Sequence, residues 1–224
     1  MSLLSLIMKG GVLMIPIIVC SVYTLGIIVE RLINYRKAKG NVKRLTEKLE
    51  PLIIGNKVSE ARLLCEESGG FIPKIFRVAL QELQKESDVK KPVEDEINVT
   101  QRVIDEELQV SVVPALERHL NTLDALARGT PLLGLLGTVI GMIRVFFTIG
   151  IGQSAGDPAV LAKGIGLALI TTAAGLIVAI PAFFMHRYFI GQVDYLLEEA
   201  QKSKGWLLAQ LAKRRLISTV SDHE

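Results

Sequence analysis

Apolar residues along this chain come in blocks. Residues 10–29 contain no charged side chain, and as a helix rising ~1.5 Å per residue they would reach about 30 Å, the thickness of a bilayer's hydrocarbon core. A second block, from Gly129 to Gly156, carries one charge, Arg144, and a third, from Gly164 to Met185, has none. The pattern predicts transmembrane helices at residues 10–29, 129–152 and 160–185. The link at residues 153–159, overlapping GIGQSAGDP (Gly150 to Pro158), is short and turn-rich, so the second and third helices must be antiparallel neighbours. The first block is too long for a secretory signal, no small-residue cleavage site follows it, and Val19 is too bulky to precede a lipid-modified Cys20.

Between the first two blocks, residues 30–128 alternate apolar and charged positions at helical spacing. Asn56 is placed to cap a helix over KVSEARLLCEES that stops at Gly69 and Gly70, and Pro73 to open another over KIFRVALQELQKES. From Pro92, the residues Val93, Ile97, Ile104, Leu108, Val112, Leu116, Leu120, Leu123 and Ala127 recur three, four or seven apart. They predict one long amphipathic helix, kinked at Pro114, that runs straight into the second span. In the C-terminal segment, 186–224, residues 191–211 read as a helix continuing from the third span and interrupted at Gly205. The fold class is therefore an all-α membrane protein with three transmembrane helices and long cytoplasmic helical extensions.

Composition sharpens this picture. Of 224 residues, 50% are hydrophobic and 22% charged, with mean hydropathy +0.39, too apolar for an ordinary soluble domain. The 26 basic and 23 acidic residues nearly cancel, which disfavours disorder and a nucleic-acid partner. Basic residues instead report topology. Arg31, Arg36, Lys37, Lys39, Lys43 and Arg44 follow the first span, Arg118 and Arg128 precede the second, and Arg187 follows the third. Only Lys9, in the N-terminal segment 1–9, and Lys163 lie on the other side. By the positive-inside rule the N-terminus is periplasmic and the C-terminus cytoplasmic in a bacterial inner membrane. Cys20 and Cys65 are expected to be free thiols.

No Asp or Glu lies in the interior of any span, and His186 sits at the end of the third. Proton pathways usually need a buried titratable group, so if protons move here the carboxylate must come from another polypeptide. Gly134, Gly141 and Val145 share a helical face with Thr138, and Ala168, Gly175 and Ala179 share one with Thr172; Gly137 and Gly141 form a GxxxG pair. Two readings stand: these faces pack helices while each threonine bonds its own preceding turn, or they line a pore. Arg144 either snorkels to lipid headgroups or meets a carboxylate of a partner or another subunit, and Lys163 suits an interfacial anchor. Signatures of phosphate-binding loops, metalloproteases and serine hydrolases are missing. We expect no enzyme, no catalytic residue, no metal site and no cofactor.

The stretches TPLLGLLGTVIGMIRVFF, residues 130–147, and GDPAVLAKGIGLALITTAAGLIVAIPAFFMHRYF, residues 156–189, closely resemble the MotA/TolQ/ExbB proton-channel family. Three spans with one large insertion resemble its ExbB/TolQ branch. The resemblance implies a homo-oligomeric ring of five subunits around the helix of a single-span ExbD/TolR-like subunit, which supplies a membrane aspartate. It also implies a TonB/TolA-like protein as a further partner, and proton current that energises a periplasmic or outer-membrane process. Thr138, in LGTV, and Thr172, beside Thr171 in TTAAGL, match positions that line the pore in family members. One position departs: where the family's motif carries an acid, this chain has Leu167, which with Arg144 and Lys163 becomes a candidate contact for partner or lipid. A membrane scaffold presenting a helical cytoplasmic platform, a homomeric channel, and a sodium-driven stator-like subunit are the alternatives.

Overall fold

A computed structural model describes residues 12–86, 93–151 and 158–221. The N-terminal segment 1–9, the first two positions of the expected first span, Pro92, and residues 152–157 of the link lie outside the described residues. All regular structure among the described residues is helical: α1 (Met14–Ala38), α2 (Val42–Ile54), α3 (Val58–Glu67), α4 (Phe71–Glu86), α5 (Val93–Glu107), a π-helical turn (Leu108–Val112), α6 (Val113–Glu117), α7 (Leu120–Ile151) and α8 (Pro158–Ser221). Three of the helices are long and apolar enough to cross a membrane. The chain divides into two compact units, one formed by Met1–Arg31 with His119–Ile190 and the other by Leu32–Arg118 with Gly191–Glu224.

The first unit holds the apolar blocks. Its outward side chains are large hydrocarbons, among them Val22, Leu132, Phe146, Ile177 and Phe184. Such a continuous apolar surface needs lipid or protein against it. Inside the unit α7 and α8 run antiparallel: Gly175 meets Thr130, Gly134 meets Thr172, Gly141 meets Ala168 and Gly164 meets Val145, the number falling on one helix as it rises on the other.

The second unit has a core of Leu49, Ile53, Ile72, Phe76, Leu80, Ile104, Leu196 and Leu207. The rings of Phe76 and Trp206 lie 5.8 Å apart between centroids. The Tyr35 hydroxyl donates to the Leu116 carbonyl at 2.7 Å, and Glu96, itself buried, accepts from both Arg214 and Arg215.

Four local expectations are corrected. Asn56 does not cap α3. It adopts φ +55° and closes α2, with its own N–H bonded to Ile53 O at 3.1 Å and the Lys57 N–H to Leu52 O at 2.8 Å, the paired bonds of a Schellman motif with Asn in the left-handed position. Pro73 lies within the first turn of α4 and does not begin it. The long helix does not run straight into the second span. Pro114 lacks the amide hydrogen that would bond back to residue 110, the turn before it widens to a π-helix, and Arg118 turns extended (ψ 133°) before His119 takes φ +64°. Gly205 does not interrupt α8, because burial of Ser203, Leu207 and Leu211 on either side outweighs a glycine's loss of about 1 kcal/mol in helix propensity.

Candidate functional site

The site is built on the contact between α7 and α8. Glycines make it possible. A methyl group on Gly134 would sit 2.9 Å from Thr172 Cα and 3.0 Å from Thr171 O, and one on Gly175 would sit 2.8 Å from Thr130 O. At both positions the obstacle is backbone, so a side chain fits only if the helices separate. A methyl on Gly137 would meet Thr171 Oγ1 and one on Gly141 would meet Ala168 Cβ, which is the close approach small residues permit between membrane helices.

This approach brings two hydroxyls onto one carbonyl. Thr172 Oγ1 donates to Gly134 O at 2.9 Å, across the helix pair. Thr171, buried, donates to Ala168 O at 2.6 Å within its own helix and lies 3.4 Å from Gly134 O. Each hydroxyl keeps acceptor lone pairs after donating. Ala168 is buried beside them, and Ala179 is buried two turns further along α8. Of the residues expected to pack helices, Gly134, Gly137, Gly141, Ala168 and Gly175 all lie at this contact.

Thr138 lies elsewhere. It is half-exposed, and its hydroxyl donates to Leu135 O at 2.7 Å, one turn back on its own helix. In the described chain it does not join the other two threonines. Arg144 and Lys163 are exposed and Leu167 is half-buried; all three border a cleft at the end of the helix pair nearer the link.

Several polar pairings of this unit were not foreseen from the sequence. At the opposite end, Asp124 bonds Arg128 at 2.9–3.0 Å and approaches His186 Nδ1 at 3.7 Å. His119 Nδ1 lies 3.0 Å from Glu30 Oε2, joining the end of the first span to the start of α7. Their signal was a cluster of charges just outside each apolar block, which sequence reasoning used only for topology. Thr24 is buried in α1 with its hydroxyl oxygen unpartnered among the described residues, and a lone threonine in an apolar run gives no sequence signal of that kind. No group of three or more His, Cys, Asp or Glu is arranged to hold a metal among the described residues.

The chain is similar to known proteins over most of its length. Residues 70–202, which contain α7, the link and the apolar part of α8, match the model of the MotA/TolQ/ExbB proton channel family. A biopolymer transport protein ExbB homolog of Methanothermobacter thermautotrophicus is 31% identical over 91% of this chain and 68% of its own length. Biopolymer transport protein exbB1 of Vibrio cholerae is 30% identical over 81% and 76%, and biopolymer transport protein ExbB of Salmonella typhimurium 32% over 80% and 72%. This is a multi-pass membrane protein whose family-matched segment contains the glycine-threonine contact, and it belongs to the MotA/TolQ/ExbB proton channel family, on the ExbB-like branch.

Proposed function

We propose that this chain is the ring subunit of a proton-motive-force-driven machine of the bacterial inner membrane, with its N-terminus periplasmic and its C-terminus cytoplasmic. In this reading five copies surround the helix of an ExbD/TolR-like subunit, and the assembly energises a periplasmic or outer-membrane process such as TonB-dependent transport through a TonB/TolA-like protein. The subunit performs no covalent chemistry. One observation carries the proposal: the Thr171 and Thr172 hydroxyls converge on the Gly134 carbonyl in the family-matched segment, in spans that carry no acid of their own.

A threonine hydroxyl does not titrate in the physiological range, so it acts by orienting others. After donating to Gly134 O, the Thr172 oxygen still accepts a hydrogen bond from water or from a protonated carboxyl. The proton carrier itself is the partner's aspartate, protonated from one side and released to the other. Thr171, Thr172 and Thr138 form the ion pathway in this reading, with Thr138 joining when its hydroxyl leaves Leu135 O.

The test is co-reconstitution of the chain with its single-span partner in vesicles, measuring flux under a pH gradient and, separately, under a sodium gradient. Thr172→Val keeps the shape and removes the hydroxyl. A tenfold or greater loss of proton flux with assembly intact is expected. Undiminished flux in both Thr171→Val and Thr172→Val would remove these threonines from the pathway, and flux that follows only the sodium gradient would replace the coupling ion.

A further inference from the structure

We infer that the cleft beside Arg144 and Lys163 is a binding site for one anionic phospholipid. Arg144 lies seven residues before the end of α7 and Lys163 five residues after the start of α8. Both are therefore about 7–11 Å along their helices from the ends that face the link. Gly164 packs against Val145, a methyl on the glycine falling only 2.0 Å from Val145 Cγ2, so the two cations stand at one level on neighbouring helices. Both are exposed, and neither forms an ion pair among the described residues. The only acid in the sequence between Asp124 and Asp194 is Asp157, which lies outside the described residues.

The cations border a cleft of about 400 Å³, within the roughly 300–1,000 Å³ of small-molecule sites. Its polarity is graded. Arg144, Lys163 and the Thr148 hydroxyl stand nearest the link, Ile140, Leu167 and Ala168 form the deeper wall toward mid-span, and at the inner end the buried Thr171 turns its hydroxyl to Ala168 O. A guanidinium and an ammonium at equal depth repel one another unless an anion lies between them, and a guanidinium facing bare hydrocarbon is costly. A phosphodiester meets both demands. A lipid's own order of parts, phosphate outward and chain inward, follows the cleft's gradient, whereas a carboxylate alone leaves the apolar trough unfilled. The occupant is therefore a lipid, seated with its phosphate between Arg144 and Lys163 and one acyl chain along Leu167.

The test measures lipid retained by the purified, full-length protein, by native mass spectrometry and after exchange into nanodiscs of phosphatidylglycerol or phosphatidylcholine. Wild type is expected to keep one anionic phospholipid per chain and to prefer phosphatidylglycerol. The double variant Arg144→Gln/Lys163→Gln should lose roughly 30-fold in retention, about 2 kcal/mol at about 1.4 kcal/mol per tenfold. The exchange Arg144→Lys/Lys163→Arg keeps both charges and should keep the lipid, which separates loss of binding from misfolding. Leu167→Trp fills the trough with the charges intact and should also expel the lipid. Soluble glycerol phosphate should not displace it. Equal retention of the two lipids, undiminished retention in both the double variant and Leu167→Trp, or displacement by glycerol phosphate would overturn the assignment. So would loss of a co-purifying single-span partner from the double variant with its lipid unchanged, because the cations would then serve that partner's carboxylate.

Discussion

The helix contact makes a sharp prediction at Gly134. In Gly134→Ala the new methyl meets Thr172 Cα at 2.9 Å and Thr171 O at 3.0 Å, and because these are backbone atoms α7 and α8 must move apart by several tenths of an ångström. Overpacking of this kind costs about 1–3 kcal/mol. Separation also lengthens the 2.9 Å bond from Thr172 to Gly134 O, and interhelical side-chain bonds in membranes contribute on average about 0.6 kcal/mol. The expected loss from the clash is thus about 2–3 kcal/mol, a factor of roughly 30 or more in the unfolding equilibrium. Alanine also gains about 0.8–1.0 kcal/mol in helix propensity over glycine, which must be cancelled. Gly129→Ala does so: it lies on the same helix and a methyl there meets nothing within 4 Å. Denaturant titration of both variants in one mild detergent, followed by helical circular dichroism, reads the difference directly. Gly175→Ala, whose methyl meets Thr130 O at 2.8 Å, should fall with Gly134→Ala. If Gly134→Ala matches Gly129→Ala in stability, the two helices do not pack at this distance and the threonine geometry built on it fails too.

Other consequences are testable in the second unit. Glu96→Gln leaves Arg214 and Arg215 without their shared carboxylate and should destabilise by about 2–3 kcal/mol, toward the lower side for a broken buried pair because Arg215 stays partly solvated; thermal unfolding measures it. Gly205→Ala, with nothing within 4 Å of the added methyl, should stabilise α8 by about 0.5–1 kcal/mol in the same assay. Burial pushes the Glu107 carboxyl up, but bonds from Lys74 and Ser111 outweigh it and hold the group below its usual range. Its contribution is therefore present above the ordinary carboxylate pKa and lost as pH falls through the lowered one, so Glu107→Gln should flatten the acid limb of stability against pH. Burial pushes the Cys65 thiol up to about 12; it should resist alkylation at neutral pH until the unit unfolds, and rapid labelling in the native protein would show the site is open.

The parts of the fold written as long periodic blocks were legible in the sequence, and the joints between them were not. Uncharged runs announce membrane helices because hydrocarbon tolerates nothing else, and the recurrence of Ile104, Leu108, Val112 and Leu116 announces a buried face wherever the helix bends. A joint depends on single residues with two permissible roles. Asn56 is as good an N-cap as a left-handed terminator, and the Leu52 and Ile53 carbonyls decide for the second. His119 takes a left-handed conformation that few residues accept, although histidine is enriched among those that do. The same ambiguity governs the site. Spacing places Thr138 and Thr172 in matching positions on two helices, yet a threonine in a helix can always bond its preceding turn, and only the approach distance determines whether a better acceptor is in reach. Glycine at 134 and 175 sets that distance for Thr172. Thr138 faces no equivalent carbonyl in the described chain and bonds Leu135 O instead. In the proposed function the part Thr138 plays depends on what a neighbouring chain presents to it, and that of Thr172 on what its lone pairs accept while it donates to Gly134 O. In the proposed function the carboxylate comes from another chain, and Thr138 and Thr172, both half-exposed, keep lone pairs with which to meet it.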